Sequence, residues 1–364
     1  MNILFVSKLS GNMWAGPNNS VPARIKSQSK TDNILWINLN HVCLESWKSE
    51  SYKFMNLDDC DNYRLKELPN PFSHPDFIVI EELYCYTPFD RLISDIRNSG
   101  VPYIIVPRSS MTIKAQQKHW LKKKLANLLF YNRIIKNAVA IQYLTDTEKK
   151  ESQKFFFNEG WIIPNGTNMN NEDKTFKLES GIKAVFIGRI DTYQKGLDLL
   201  FESISIVQNI LRKSKFHLSL FGPDRDNSVS ALNILANKFG ISDLITFKDP
   251  VFGEDKKEVL KTADMFIMTS RFEGLSMGLI EALSYGLPCL VTRGTYFMDE
   301  VNQFNAGIGT ENSVDSISSG LSALVNDLDM LPIYSNNAKE LSKKYSWDSA
   351  SSLLQSRINS YINR

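Results

Sequence analysis

The chain has 364 residues, which is long for one hydrophobic core and is typical of two domains. Its 43% hydrophobic and 11% aromatic content indicates a globular protein, and its formal net charge of +2 gives no reason to expect a nucleic acid partner. The four cysteines form no CxxC pair, which argues against a zinc site or a disulfide scaffold and favours a reducing, cytoplasmic compartment.

Short apolar runs in the first half predict buried parallel strands, and helical patterns such as "PFDRLISDIRNSG" and "WLKKKLANLLFYNRIIKNA" separate most of them. The predicted strands are at 2–6, 33–39, 77–80, 103–106 and 138–144. The apolar run that opens the chain is too short for a signal peptide core. No stretch approaches the roughly eighteen apolar residues that a membrane span needs.

After residue 168 the pattern gives way to "MNNEDKTFKLESG", which predicts a linker between domains. A second alternating series then predicts strands at 183–188, 216–222, 245–251, 265–270 and 288–292. The predicted class is therefore α/β, with two doubly wound, Rossmann-like domains at 1–168 and 169–345. An amphipathic helix near 346–364 ends the chain.

Two glutamates separated by seven residues stand in "RFEGLSMGLIEALSYGLPCLVT", directly after a predicted strand. The free amides of Gly274, Leu275 and Ser276 would open a helix and form an anion cradle, with Glu273 and Glu281 beside it to accept sugar hydroxyls. Alternatively, Glu273 stabilises the helix dipole and Glu281 is a solvated surface residue.

Two cations follow the first strand of the second domain, in "GRIDTYQKGLDLL". Arg189 comes directly after the strand and Gly188, and Lys195 stands where the next helix begins. Together they could neutralise a diphosphate without a metal ion, although either alone is more often a surface charge.

The loop after the first strand of the chain, "KLSGNMWAGPNNSVPARI", contains small residues that allow a ligand to approach the backbone. It lacks the GxGxxG pattern of dinucleotide-binding domains, and Asn38 and Asn40 stand where such a domain carries an acid. An NAD-linked oxidoreductase is therefore disfavoured.

Taken together, these stretches resemble the family-4 retaining glycosyltransferases of the GT-B fold, in which two Rossmann-like domains face a cleft. The resemblance covers most of the chain and is strongest from 164 to 292. It rests on "PNGTN", "FIGRIDTYQKGLDLL", "LSLFGPD", "FKDPV", "TSRFEGLSMGLIEALSYGLPCLVT" and "YSWDSAS". The segment that begins "PRSSMTIKAQQ" is similar to one in members that act on bacterial capsular or lipopolysaccharide sugars.

The resemblance implies a role for each motif residue. Arg189 and Lys195 would hold the donor diphosphate, Glu273 the hydroxyls of the donor sugar and Glu281 the ribose. The remaining donor contacts would come from backbone at 188, 251, 252 and 274–276 and from the first loop: Gly188, Val251, Phe252, Gly274, Leu275, Ser276, Gly16, Asn18 and Asn19. The C-terminal helix would cross back onto the first domain.

The implied activity is transfer, with retention of configuration, of a hexose or N-acetylhexosamine from a nucleotide-diphosphate sugar. The acceptor would be a glycan or a polyprenyl-diphosphate-linked oligosaccharide of a bacterial surface polysaccharide. No metal and no cofactor is expected, and "DLD" at 327–329 is interpreted as a polar turn. The alternative is a non-catalytic nucleotide-sugar binder of a polysaccharide assembly system.

Two further features stand out. Many members of the family carry a histidine after the fourth predicted strand, where this chain has "VPRSSM", so Arg108 is the nearest candidate for stabilising charge. No acidic residue occurs between Asp95 and Asp146, and the Lys114–Lys136 segment mixes lysines with large apolar side chains. This helix either meets an anionic membrane surface, which would make the protein peripheral to the cell membrane, or packs as an ordinary amphipathic helix.

Overall fold

A computed structural model describes residues 1–12, 15–60, 62–117 and 120–363. The chain divides into two compact units: unit 1 contains Met1–Gly166 and Trp347–Arg364, and unit 2 contains Thr167–Ser346. The polar stretch predicted as a linker therefore belongs to unit 2. There Lys261 forms an ion pair with Glu172 at 2.9 Å.

Unit 1 contains a seven-stranded parallel sheet in the order β3-β2-β1-β4-β5-β6-β7. Its strands are β1 (Asn2–Ser7), β2 (Asn33–Asn38), β3 (Lys53–Asn56), β4 (Phe77–Glu81), β5 (Tyr103–Val106), β6 (Ala140–Tyr143) and β7 (Gly160–Ile162). Alternate residues of β1 contribute to different hydrophobic clusters, Ile3 and Phe5 to one and Leu4 and Val6 to the other. Both faces of this sheet are therefore buried, as a parallel sheet requires.

Unit 2 contains a six-stranded parallel sheet in the order β10-β9-β8-β11-β12-β13, and one large hydrophobic cluster. Its strands are β8 (Lys183–Ile187), β9 (His217–Phe221), β10 (Ile245–Lys248), β11 (Met265–Met268), β12 (Cys289–Thr292) and β13 (Gly307–Thr310). The predicted class, α/β with two doubly wound domains, is confirmed.

Helices connect nearly all of these strands. In unit 1 they are α1 (Gly16–Gln28), α2 (Arg91–Ser99), α3 (Ile113–Gln117), α4 (Trp120–Ala126), α5 (Asn132–Asn137) and α6 (Asp146–Ser152). In unit 2 they are α7 (Leu197–Lys213), α8 (Ser228–Phe239), α9 (Gly253–Thr262), α10 (Met277–Ser284), α11 (Met298–Phe304), α12 (Val314–Asn326) and α13 (Leu331–Lys343). The chain ends with α14 (Trp347–Ile362).

Helix α14 belongs to unit 1 and packs on α1. Its Leu354 and Ile358 are fully buried, and Asp348 accepts a hydrogen bond from the hydroxyl of Ser27 at 2.8 Å. The chain thus leaves unit 1 once and returns to it once.

Three short strands, β3, β7 and β13, were not predicted from the sequence. Their sequences, "KFMN", "GWI" and "GIGT", are too short or too rich in glycine to show a pattern of hydrophobicity. Each lies at or near a sheet edge, where pairing with one neighbour determines its position. None of the helices that the structure describes is both long and apolar enough to cross a bilayer.

The close packing of unit 2 predicts unequal effects of alanine at two glycines with similar backbone angles. Gly196 (φ +60°) and Gly240 (φ +65°) are both left-handed, but a Cβ on Gly196 would lie 2.1 Å from the carbonyl oxygen of Thr269. A Cβ on Gly240 would meet nothing within 4 Å. We expect Gly240→Ala to cost unit 2 about 1 kcal/mol of unfolding free energy and Gly196→Ala at least about 3 kcal/mol. Urea unfolding of the two variants measures the difference, and equal costs would contradict the packing.

Candidate functional site

The loops that leave β8 and β11 meet at the point where the strand order of unit 2 reverses. From β8 the chain continues to β9 on one side, and from β11 it continues to β12 on the other. Ligands of open parallel sheets bind outside the carboxyl ends of the strands at such a point. Lys195 lies in the first of these loops and Glu273 in the second.

Lys195 and Glu273 form a buried ion pair. The ammonium Nζ of Lys195 lies 2.5 Å from Oε1 of Glu273, and the two side chains are 10% and 9% exposed. The hydroxyl of Ser270 donates a second hydrogen bond to the same oxygen, at 2.6 Å. Because Lys195 and Ser270 both bind Oε1, these two contacts fix the orientation of the carboxylate.

Backbone contacts hold the loop that carries Lys195. The hydroxyl of Thr269 donates to the carbonyl oxygens of Lys195 and Gly196, at 3.2 and 3.1 Å. The left-handed conformation of Gly196 lets the chain turn into α7 directly against β11. This turn brings Lys195 to Glu273.

Arg189 differs from Lys195 in its surroundings. It is exposed, and among the described residues its guanidinium has no hydrogen-bond or ion-pair partner. The preceding residue, Gly188, lies so close to Gly222 that a Cβ on Gly222 would be 1.7 Å from its carbonyl oxygen. The strand end is therefore fixed while the Arg189 side chain stays available to an anion.

The first turn of α10 approaches the end of β8. A Cβ on Gly278 would lie 2.7 Å from the carbonyl oxygen of Ile187, so only glycine allows this approach without a shift. Ser276 precedes the helix, is 6% exposed and directs its hydroxyl to the sulfur of Met268 at 2.9 Å. Its side chain therefore does not cap the helix, and the amides of Gly274 and Leu275 precede an uncapped N-terminus.

Glu281, on α10, forms an ion pair with Lys256 of α9. Phe252, one helical turn before Lys256, is 48% exposed and marks the start of α9, and Val251 is partly buried against the core of unit 2. The ion pair thus joins α10, which carries the predicted ribose contact Glu281, to α9, which begins beside the predicted base contacts Val251 and Phe252. Sequence reasoning missed Lys256, because a lysine on a charged helix gives no signal of its own.

Arg271 was also missed. Its guanidinium binds both carboxylate oxygens of Asp198, at 2.6 and 2.8 Å, and lies 4.6 Å from the centre of the Tyr193 ring. Asp198 and Tyr193 both belong to the "GRIDTYQKGLDLL" block, so this contact is a second link, besides Lys195–Glu273, between that block and the glutamate block.

Unit 1 has a buried charge cluster at the carboxyl ends of β4 and β5. Glu81 is fully buried and pairs with Arg24 at 3.1 Å and with Arg108 at 2.9 Å. The hydroxyl of Ser20 accepts from Arg108 at 2.8 Å, and Gln142 accepts from Arg24 at 2.5 Å. Burial lowers the pKa of Arg24 to about 10.

Arg108 therefore has structural partners in unit 1. Its side chain is 7% exposed, and its backbone is left-handed (φ +49°), as is that of Ser109. Glu148, whose pKa is raised by burial, accepts hydrogen bonds from the amides of Ser109 and Leu144. A role of Arg108 in stabilising reaction charge stays a prediction.

The loop after β1 is held by two asparagines. Asn38 is fully buried and accepts hydrogen bonds from the hydroxyl of Ser7 and the amide of Leu9. Asn18 is also buried, and its side chain accepts from the amide of Gly11 at 2.9 Å. Gly16 and Asn19 are exposed at the start of α1. Of the predicted loop residues, Gly16 and Asn19 are thus the ones a ligand can reach within unit 1.

These geometries define a two-unit protein of the GT-B fold. Over its whole length, and over all of that structure, the chain is similar to a sucrose-phosphate synthase from Thermosynechococcus elongatus, with a TM-score of 0.71 and 13% identity. Residues 168–341 match the family described as glycosyl transferases group 1, and this match lies wholly within unit 2.

Two curated relatives are similar to parts of the chain. Mannosylfructose-phosphate synthase of Agrobacterium fabrum is 33% identical over 110 residues, which are 29% of this chain and 24% of that protein. The UDP-Gal:alpha-D-GlcNAc-diphosphoundecaprenol alpha-1,3-galactosyltransferase of Escherichia coli is 32% identical over 87 residues, 23% of this chain and 22% of that protein. The matched segments thus span about a quarter of the length of each relative.

The Arg24–Glu81–Arg108 cluster predicts a large loss of stability from a single substitution. Glu81→Leu would leave two arginines buried without their counter-ion, at a cost of about 3–5 kcal/mol in unfolding free energy. Glu45→Leu is the control, because Glu45 pairs with Lys48 on the surface, where an ion pair contributes about 1 kcal/mol or less. Urea unfolding compares the two. Similar losses of unfolding free energy would show that the buried cluster stabilises unit 1 no more than a surface ion pair does.

Proposed function

We propose that this protein is a retaining glycosyltransferase that takes a hexose or N-acetylhexosamine from a nucleotide-diphosphate sugar. The observation that carries the proposal is the Lys195–Glu273 pair at the strand-order reversal of unit 2, with an exposed Arg189 in the same loop. The family match of residues 168–341 supports it.

In this proposal each group has a place along the donor. Arg189 and Lys195 bind the diphosphate, and the amides of Gly274, Leu275 and Ser276 bind phosphate or sugar oxygens at the N-terminus of α10. Since Lys195 and Ser270 both bind Oε1 of Glu273, the sugar hydroxyl would donate to Oε2.

The nucleoside would lie beside α9 and α10. Lys256 approaches Oε2 of Glu281, which leaves Oε1 to accept the ribose hydroxyls. The base would then lie against the backbone of Val251 and Phe252, where α9 begins. In the loop after β1, Gly16 and Asn19 are proposed as further donor-binding residues because they are exposed, and Asn18 would shape their loop.

The chemistry is leaving-group stabilisation. As the bond between sugar and phosphate breaks, negative charge grows on the diphosphate, and Arg189 and Lys195 stabilise that charge. The acceptor hydroxyl attacks the face from which the phosphate departs, and a phosphate oxygen takes its proton. The anomeric configuration is retained without an enzyme nucleophile, and the protein mainly orients the reactants.

For the acceptor we propose a glycan or a polyprenyl-diphosphate-linked oligosaccharide of a bacterial surface polysaccharide. Support comes from the Escherichia coli relative, whose name specifies a diphosphoundecaprenol-linked acceptor. A cytoplasmic location, where nucleotide sugars are made, completes the proposal.

Substitution of either residue of the Lys195–Glu273 pair should slow transfer strongly while nucleotide-sugar binding by other contacts persists. We expect Lys195→Gln and Glu273→Gln each to lower kcat by about 10²–10³-fold, because both act where transition-state charge is placed. Radiolabelled nucleotide sugars incubated with membrane extracts measure the transfer. Lys257→Gln is the matched control, since Lys257 lies on α9 in an exposed pair with Glu254.

These measurements distinguish a glycosyltransferase from a non-catalytic nucleotide-sugar binder. Wild-type protein that binds a nucleotide sugar but transfers it to no acceptor would support the non-catalytic binder. Unchanged turnover in both pair variants, with the same melting temperature as wild type, would refute the proposed site.

A chelator tests the absence of a metal from the mechanism. If Arg189 and Lys195 alone neutralise the diphosphate, EDTA should leave the transfer rate within about twofold of its untreated value. An EDTA-sensitive rate that Mg²⁺ or Mn²⁺ restores would show that a cation shares this role.

A further inference from the structure

One side of unit 1 exposes five large apolar side chains within ten residues. They are 57–71% exposed and belong to α4 and the π-helix Asn127–Tyr131 that follows it: Trp120, Leu121, Leu125, Leu128 and Leu129. We call these residues, together with the exposed Lys122 and Lys124, the apolar-basic surface. Such a concentration of exposed leucine is unusual, since exposed apolar residues normally occur singly.

The leucines form one helical face. Leu121, Leu125, Leu128 and Leu129 have the i, i+4, i+7, i+8 spacing of an amphipathic helix, which ordinarily turns that face to the core. Here α4 contains no buried residue, whereas the next turns bury Phe130, Tyr131, Ile134 and Ile135. The π-helix carries the change of face: its Leu128 and Leu129 are exposed, and its Phe130 and Tyr131 are buried.

Contacts with the loop after β4 hold this surface in place. The hydroxyl of Tyr84 donates to Asn127 at 2.9 Å and accepts from Gln116 at 3.0 Å, and its ring lies 4.8 Å from that of Tyr131. Lys123 points inward, with its ammonium 4.5 Å from the Tyr84 ring centre. The apolar face is therefore presented outward by a packed element.

The charged residues of the segment that carries the leucine face are all positive. Lys122 and Lys124 flank it, and Arg133 and Lys136 are exposed further along the same helix. From residue 96 to residue 145 the sequence has no acidic residue. Lys118, His119 and the side chain of Lys114, part of the predicted segment, lie outside the described residues.

We propose that the apolar-basic surface docks on an anionic phospholipid bilayer. The leucines and Trp120 would enter the boundary between head groups and acyl chains, and Lys122 and Lys124 would pair with lipid phosphates. A second copy of the chain fits less well, because an identical surface would bring like charges together without any acid to compensate them.

Docking would orient unit 1 relative to the membrane, which the proposed donor binding by unit 2 does not do. The loop with Tyr84 follows β4, and α3 follows β5, so the surface is anchored from the carboxyl ends of these strands, where Arg108 also lies. If the proposed lipid-linked acceptor is correct, its head group would be delivered at this edge of the sheet.

Vesicle flotation tests the docking. Full-length protein should float with vesicles of phosphatidylcholine and phosphatidylglycerol and remain behind with phosphatidylcholine alone. L121Q/L125Q/L128Q and, separately, K122E/K124E should each weaken binding to the anionic vesicles by at least about tenfold. All five side chains are exposed or partly exposed, so the variants should keep the wild-type melting temperature.

Matched controls carry the same changes on exposed positions of unit 2. I206Q/I234Q replaces two exposed isoleucines, and K213E/K215E reverses two exposed lysines with the same spacing. Both controls should float like wild type. The proposal is overturned if wild type does not float with anionic vesicles, if the controls lose binding equally, or if wild type self-associates in sedimentation and L121Q/L125Q/L128Q does not.

Binding of UDP by unit 2 separates this proposal from the proposed activity. The flotation variants should bind UDP as wild type does, because their substitutions lie outside unit 2. Flotation without sugar transfer would support the docking and refute the proposed activity. Sugar transfer to a soluble acceptor without flotation would support the activity and refute the docking.

Discussion

The candidate donor site depends on the backbone contact between Gly196 and Thr269. The two loops that part at the strand-order reversal can approach only because residue 196 has no Cβ, and the Thr269 hydroxyl satisfies the carbonyls of Lys195 and Gly196. This contact delivers a largely buried ammonium to a largely buried carboxylate. A charge in such surroundings is costly unless it is paired, and Glu273 supplies the counter-charge of Lys195 there. The site is thus arranged before a ligand arrives, which is the condition for electrostatic stabilisation of a leaving group.

The two units use charge in different ways. In unit 2 the exposed Arg189 and the uncapped start of α10 leave positive potential for a ligand. In unit 1 the arginines are already paired: Arg24 and Arg108 share Glu81, and the amide of Ser109 is held by Glu148. Two residues of that cluster, Arg108 and Ser109, have left-handed backbone and stand where many members of the resembled family carry a histidine. Unit 1 offers its free positive charge elsewhere, on the helix that carries the leucine face.

Much of the fold was predictable because its strands are fully buried. Runs such as "NILFV", "YIIV" and "MFIM" have no polar face, and their separation by helical patterns indicates a parallel sheet. β3, β7 and β13 escaped prediction, since edge pairing rather than hydrophobicity determines them. The site was predictable in part, because Lys195, Glu273 and Glu281 belong to recognisable spacings. Lys256 and Arg271 were not, because their relevance comes from partners distant in sequence, Glu281 and Asp198.

By itself the sequence determined which residues end strands and begin helices, and hence which side chains lie at the carboxyl edge of each sheet. It also determined that the Lys114–Lys136 segment is basic and apolar. Only the tertiary structure decided which way that segment faces: the alternation of leucine and lysine is the same whether the leucines turn to the core or to solvent. Tyr84, Asn127 and the π-helix resolve the choice by fixing the rotation of α4 about its axis. Likewise, the spacing of Glu273 and Glu281 can be read from the sequence. Their pairing with Lys195 and Lys256 could not be identified from the sequence, because only folding brings these distant segments within hydrogen-bond range.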